Sequence, residues 1–117
     1  MTPLGPESGQ IYYADLGLTE RKRILIVSND ELNLNPAWQN VICVYLTSKR
    51  MPQGPWVALR SQTGHTVANC TEILTIRKMW LKDRLTPDAT AQEMTEVYRG
   101  IALALGAEPI FRRIYGS

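Results

Sequence analysis

The sequence predicts a mainly β domain, a strongly bent antiparallel sheet or small open barrel, completed by a C-terminal α-helix. Three observations carry this expectation. Five or six strand-like segments lie within about 70 residues at short spacing, as in compact all-β architectures. None of the strands needs a long helical crossover to reach the next, so neighbouring strands should pair antiparallel. The strongest helical periodicity comes only after Thr86.

Taken in order, Gln10 to Leu16 (QIYYADL) is rich in aromatic and apolar residues and stops at Gly17. A charged turn, LTERK, leads into Arg23 to Ser28 (RILIVS), where four consecutive apolar residues predict a strand covered on both faces. Asn29-Asp30 ends it, and the polar stretch to Asn40, with Pro36, reads as loop. Val41 to Thr47 (VICVYLT) is a third, central strand. Ser48 to Pro55 carries two prolines and a glycine and is expected to be a loop, before a short strand near an edge at Trp56 to Leu59. After a turn at Gln62 to His65, Val67 to Cys70 and Glu72 to Ile76 read as two short strands split by a polar pair.

Lys78 to Arg84 is expected to form a turn or two of helix with Trp80 beneath it. Thr86 and Pro87 then suit the N-cap and first position of the main helix, with Asp88 at its positive end. Met94, Val97, Tyr98, Ile101 and Leu105 share one face, Glu93 and Glu96 lie on the polar back, and Gly106 can close the helix. EPIFRRIYGS at the end reads as a tail or an added edge strand. Residues 1–8 form an expected flexible leader, and residues 9–117 a single domain.

Bulk properties exclude several classes. The 117 residues suffice for one compact domain, and 44% apolar against 21% charged residues is an ordinary globular balance. A net charge of +2 permits contact with phosphates without arguing for it, so the placement of charge matters more than its sum. No segment matches a bilayer span, and MTPLGPESG has neither the basic start nor the apolar run of a signal peptide. The cytoplasm, with no membrane contact, is therefore the expected location. Asn69-Cys70-Thr71 matches a glycosylation sequon, which has no meaning without secretion. Cys43 and Cys70 are expected as buried thiols. One His and no paired Cys spacing leave no expected metal site, and no cofactor is expected.

The ordered series GQIYYADLG, RILIVSND, VICVYLTSK, CTEILTI and WLKDRL resembles the MazF/PemK toxins over about residues 9 to 105. Each piece alone is common; five in register, including VSND and an LTS at a strand end, are specific. The resemblance implies a CcdB/PemK-like fold assembled as a homodimer. It implies a toxin of a type II toxin–antitoxin system that cuts single-stranded RNA sequence-specifically, without a metal, by attack of the 2′-hydroxyl. Products would be a 2′,3′-cyclic phosphate and a 5′-hydroxyl. A cognate antitoxin would lay an extended C-terminal segment over the RNA groove.

In that family the active pair is an Arg opening the second strand, usually followed by Pro, and a Thr or Ser ending the third. Thr47-Ser48 matches the third-strand end. The expected Arg-Pro falls on Lys22-Arg23, after Glu20-Arg21 and a shortened loop. The cation is thus Arg23 or Lys22, nearly level, with Arg21 behind. Strand alternation sends Arg21 and Arg23 to one face and Lys22 to the other. A second position, often basic in relatives, is Leu74 here. Gly9 and Gln10 match positions near the groove, although a turn explains Gly9 equally well.

Guanidinium, ammonium and hydroxyl groups suit a phosphodiester whose oxygens gain charge during cleavage. Arg21-Lys22-Arg23 and Lys49-Arg50 flank the expected site, with Glu20 adjacent, and such a cluster suits backbone phosphates. The plain alternative is a solvated surface. Trp56 either stacks on an unpaired base or packs in the sheet, while Trp38 is expected to cap a loop. Glu72 either lines the groove or pairs with a nearby basic side chain, and His65 is expected in a surface or loop role. Two other functions stay open. One is a CcdB-like poison of DNA gyrase, faintly echoed by Tyr115-Gly116; the other is a non-catalytic RNA-binding relative.

Overall fold

A computed structural model describes residues 5–17 and 19–106. The chain runs β1 (Ile11–Ala14), β2 (Lys22–Ile26), α1 (Asp30–Asn33), β3 (Asn40–Thr47), β4 (Trp56–Ala58), β5 (Val67–Arg77), a 3-10 turn (Lys78–Trp80), β6 (Leu81–Leu85) and α2 (Ala91–Ala104). All six strands form one antiparallel sheet in the order β4-β5-β3-β2-β1-β6. It bends without closing, which matches the expected mainly β class with a helix after the sheet. β4 lies at an edge, as its short length suggested.

Alternation along the strands splits the apolar side chains between two faces. Leu25, Val27, Val44, Leu46, Ala68 and Cys70 point to one face and meet Met94 and Val97 of α2. Ile24, Ile26, Val41, Cys43 and Ile76 point to the other, under the partly buried Tyr12, Leu16, Tyr45, Leu74 and Leu81. The ILIV run is thus covered on both sides, as its continuous hydrophobicity requires. Gly100 lets α2 approach the sheet: a Cβ there would stand 3.0 Å from the Cys70 sulfur and 3.1 Å from a Val57 methyl. Both cysteines are free and buried, as expected, and burial pushes each thiol up to about 12.

The structure corrects the sequence expectations at five places. The polar stretch after Asp30 holds a turn of helix, capped by Asn29, whose Oδ1 accepts the Glu31 N–H at 2.7 Å. The two short strands after His65 are one strand, β5, with residues 70–72 outside the ladder opposite the Val44/Tyr45 step. Lys78 to Arg84 is a 3-10 turn followed by β6, which pairs with β1; Trp80 is 39% exposed rather than covered. Helix α2 begins four residues beyond Pro87, because Thr90 and Glu93 form a reciprocal capping box; the Thr86–Pro87 peptide, expected to open the helix, is cis. Finally, Glu93 is 7% exposed, not on a solvated back. It accepts from Ser61 N–H at 2.9 Å, Ser61 hydroxyl at 2.6 Å and Thr90 N–H at 2.9 Å.

Of the expected leader, Gly5 to Ser8 are described: Pro6 is buried, and Ser8 donates its N–H to Asp30 and shares a hydrogen bond with the Tyr98 hydroxyl. The last segment, including Tyr115-Gly116, lies outside the described residues. Among the described residues no helix is long and apolar enough to cross a membrane.

Candidate nucleic-acid groove

The ladder between β2 and β3 pairs Ile24 with Tyr45, Leu25 with Val44 and Ile26 with Cys43. Continued by two residues, that register puts Lys22 opposite Thr47 on the face away from α2, and Arg23 opposite Leu46 on the helix side. Beyond β3, Thr47 pairs with Val67 and Tyr45 with Asn69 of β5. Lys22, Tyr45, Thr47 and Asn69 therefore share one face of three adjacent strands, at the end where β1 and β2 meet their loop.

A groove of about 820 Å3 opens there. Nine residues singled out from the sequence border it: Glu20, Arg21, Lys22, Arg23, Thr47, Ser48, Lys49, Arg50 and Glu72. Their side chains are not equally available. Arg21 pairs with Asp83 at 2.9 Å, with both groups exposed. Arg23 donates to the buried Thr66 hydroxyl at 3.2 Å, which holds its guanidinium toward the start of β5. Lys22 is exposed and makes no ion pair among the described residues. The Thr47 hydroxyl oxygen accepts the Lys49 N–H at 3.1 Å, which leaves its proton free to be donated.

Three expected residues stand elsewhere. Gly9 and Gln10 precede β1, at the end of that strand away from the groove, and neither borders it. Gln10 is buried, its side-chain oxygen taken by the Glu7 N–H and the Tyr12 hydroxyl. Trp56 lines a neighbouring pocket of about 540 Å3 between β4 and α2, with the Arg50 guanidinium 5.3 Å from its ring centre. His65 holds a loop in place. Its Nε2–H donates to the Arg50 carbonyl at 2.7 Å and ties down the segment carrying Lys49 and Arg50.

Tyr13, Tyr45 and Asn69 also line the groove and were not singled out from the sequence. Tyr45 was findable, since it stands two residues before Thr47 on the same strand face. Burial first, then the charge of Glu72, hold the Tyr45 phenol above its ordinary value. Asn69 carries no such signal, because its place depends on the interruption in β5.

The fold is a sheet with a helix on one face and, at strand ends on the other, a groove bordered by basic and hydroxyl side chains, groups of the kind that contact phosphates. Similarity to known proteins narrows the class. The profile of the PemK-like, MazF-like toxins of type II toxin–antitoxin systems matches residues 7–105, and the chain belongs to that family. Among solved structures, an endoribonuclease in complex with its cognate antitoxin, from a mycobacterial species, is 36% identical with a TM-score of 0.75, covering 86% of this chain and 95% of that one. A second mycobacterial endoribonuclease is 35% identical with a TM-score of 0.75, covering 87% and 92%. The MazE–MazF complex of Deinococcus radiodurans is 18% identical with a TM-score of 0.72, covering 87% and 96%, and shares the fold. Among curated proteins no sequence matches the chain.

Proposed function

We propose that this toxin is an endoribonuclease that cleaves single-stranded RNA at specific sequences. In this reading the 2′-hydroxyl next to the scissile bond attacks phosphorus, and the 5′-oxygen of the following nucleotide leaves. The products are a 2′,3′-cyclic phosphate and a 5′-hydroxyl. The observation that carries the proposal is that Lys22 and Thr47 border one groove, on the face that the continued β2–β3 register gives to both. The Lys22 ammonium supplies positive charge to the phosphoryl oxygens. The Thr47 hydroxyl, its oxygen already engaged by Lys49 N–H, donates to one of those oxygens. Ser48, Lys49 and Arg50 bind flanking phosphates, while Arg21 is held by Asp83 and Arg23 supports the start of β5 through Thr66.

In this reading the same groove is the surface on which an extended antitoxin segment competes with RNA; the 36% identical relative is itself in complex with its cognate antitoxin. The protein acts as a homodimer in the cytoplasm, without a metal ion. Incubation with long single-stranded RNA in chelator, followed by mapping of the ends, tests the proposal. Discrete cuts bearing 5′-hydroxyls support it; intact RNA across several unrelated transcripts overturns it. Binding without cutting, insensitive to Thr47→Ala, would instead indicate a non-catalytic relative. The gyrase-poison alternative rests on Tyr115-Gly116, outside the described residues, and nothing in the groove favours it.

A further inference from the structure

Strand β5 is paired to β3 on both sides of an interruption: Asn69 stands opposite Tyr45, and Ile73 opposite the adjacent Val44. The three residues between them are fastened separately. Cys70 turns inward, its thiol donating to the Val97 carbonyl of α2 at 3.5 Å. Asn69 closes the loop from the groove side. Its Oδ1 accepts from the Thr71 N–H and hydroxyl, and its Nδ2 donates to Glu72 Oε1 at 3.0 Å. This interruption thus presents one side chain, Glu72, to the groove in a fixed attitude.

A carboxylate is a poor choice for a phosphate site. Five cations border the same groove, yet among the described residues Glu72 forms an ion pair with none of them. Its partner is a neutral amide that fixes its direction without neutralising it. An ionised carboxylate only accepts hydrogen bonds, and each oxygen has two acceptor sites. After Asn69 takes one, both oxygens still have room for a donor. Beside it, across the β3–β5 ladder, the half-buried Tyr45 ring gives a flat surface of the kind on which unpaired bases stack.

We infer that Glu72 and Tyr45 form a base-reading subsite for guanine, with the base stacked on Tyr45 and its N1–H and N2–H donated to the two oxygens of Glu72. The inference rests on the nuclease reading and adds a specificity determinant to it. Guanine is singled out by chemistry, being the one common base with two adjacent donors along its pairing edge. Adenine and cytosine each set one amino group beside an acceptor nitrogen, and uracil flanks its single N–H with two carbonyls. Against a carboxylate, each of those acceptors is repelled.

The test uses the full chain and its Glu72→Gln variant, an exposed position where folding is not at stake. Cut sites are mapped on a randomised single-stranded RNA pool, and binding is selected in parallel from a 2′-O-methyl pool that cannot be cleaved. A fixed guanine is expected at one position of the wild-type motif. Replacing it by inosine, which lacks only the 2-amino group, or by adenine should cost about 10- to 100-fold in rate or affinity, the usual worth of a bidentate base contact. In Glu72→Gln the ratio of guanine to inosine should fall toward one. A wild-type motif with no fixed guanine overturns the inference while leaving the nuclease reading intact, as does a guanine preference unchanged in the variant. Guanine-dependent binding without cleavage keeps the subsite and removes the nuclease. Neither cleavage nor a base preference in binding overturns both.

Discussion

Replacing Lys22 by Ala should slow cleavage far more than replacing Arg23 by Ala, and the register of the sheet says why. The continued register puts Lys22 on the groove face opposite Thr47, exposed and without an ion pair among the described residues, so its charge is free for a phosphoryl oxygen. Removing one preorganised donor for developing charge costs about 100- to 1,000-fold in rate, roughly 2.7–4 kcal/mol of barrier. The groove is open to water, which screens the charge and places the expected loss near the lower figure, about 100-fold. Lys22→Arg keeps the charge and should stay within about tenfold of wild type.

Arg23 is committed differently. Its guanidinium donates to the buried Thr66 hydroxyl, so Arg23→Ala should lower stability by about 0.5–1.5 kcal/mol and cleavage by no more than about threefold. Single-turnover cleavage of a fluorescent RNA bearing the mapped motif separates the two, with urea melts of each variant as a control. If Arg23→Ala is the slower enzyme by tenfold, or if neither variant is slowed, the assignment of the cation to the groove face is wrong.

Three further perturbations probe the frame behind the groove. Glu93→Gln should cost about 1–3 kcal/mol in urea melts, because the charged acceptor of three hydrogen bonds from Ser61 and Thr90 is lost. Burial alone would raise the Glu93 carboxyl, but the hydrogen bonds outweigh it and hold it below its usual value. Its stabilisation is therefore full above the unfolded carboxyl value and fades as pH falls through the folded one, so the gap to Glu93→Gln should close in acid. Gly100→Val should destabilise by about 1–3 kcal/mol through overpacking against Cys70 and Val57; an unchanged midpoint would mean that α2 can lift off at no cost. With burial holding both thiols up to about 12, iodoacetamide at pH 8 should label neither Cys43 nor Cys70 in the folded protein and both in urea, as read by mass spectrometry.

What was legible in the sequence is what one strand or helix settles locally. ILIV, in and just after β2, and VICV in β3 announced central strands, since continuous hydrophobicity has few other uses at that length. Thr47 and Ser48 were singled out because the family resemblance puts a Thr or Ser at the end of that strand, and the structure sets both beside the groove. The face of Lys22 was not legible, since it depends on which residue of β2 meets Tyr45, and pairing across chain segments leaves no local mark. Asn69 and Glu72 were split from each other for the same reason: a polar pair inside β5 looked like a break, whereas the ladder resumes at Ile73. β6 was misread because LKDRL lies at an edge, with three exposed polar residues and little apolar signal. The start of α2 was readable and missed; T-A-Q-E at Thr90 to Glu93 is a capping-box pattern that outranks a lone Thr-Pro.

The arrangement of charge also bears on the form of RNA that the proposed nuclease would take. Leu74, where relatives of this family are often basic, packs with Tyr45 against the second apolar cluster, and the aromatic surface of the groove comes from Tyr13 and Tyr45. Of the five bordering cations, Arg21 is held by Asp83 and Arg23 by Thr66, which leaves Lys22, Lys49 and Arg50 for phosphates. Three phosphate contacts imply a slope of about −2 for log affinity against log salt on a single strand. A duplex offers the same phosphates but hides the base faces that Tyr45 could stack on, so it should compete far less well than a single strand of equal length. Titrations of a 2′-O-methyl strand, alone and annealed to its complement, across a salt series measure both quantities. A slope near −4, or a duplex that binds as tightly as the strand, would mean that the groove grips backbone alone and that its aromatic side is a packing surface.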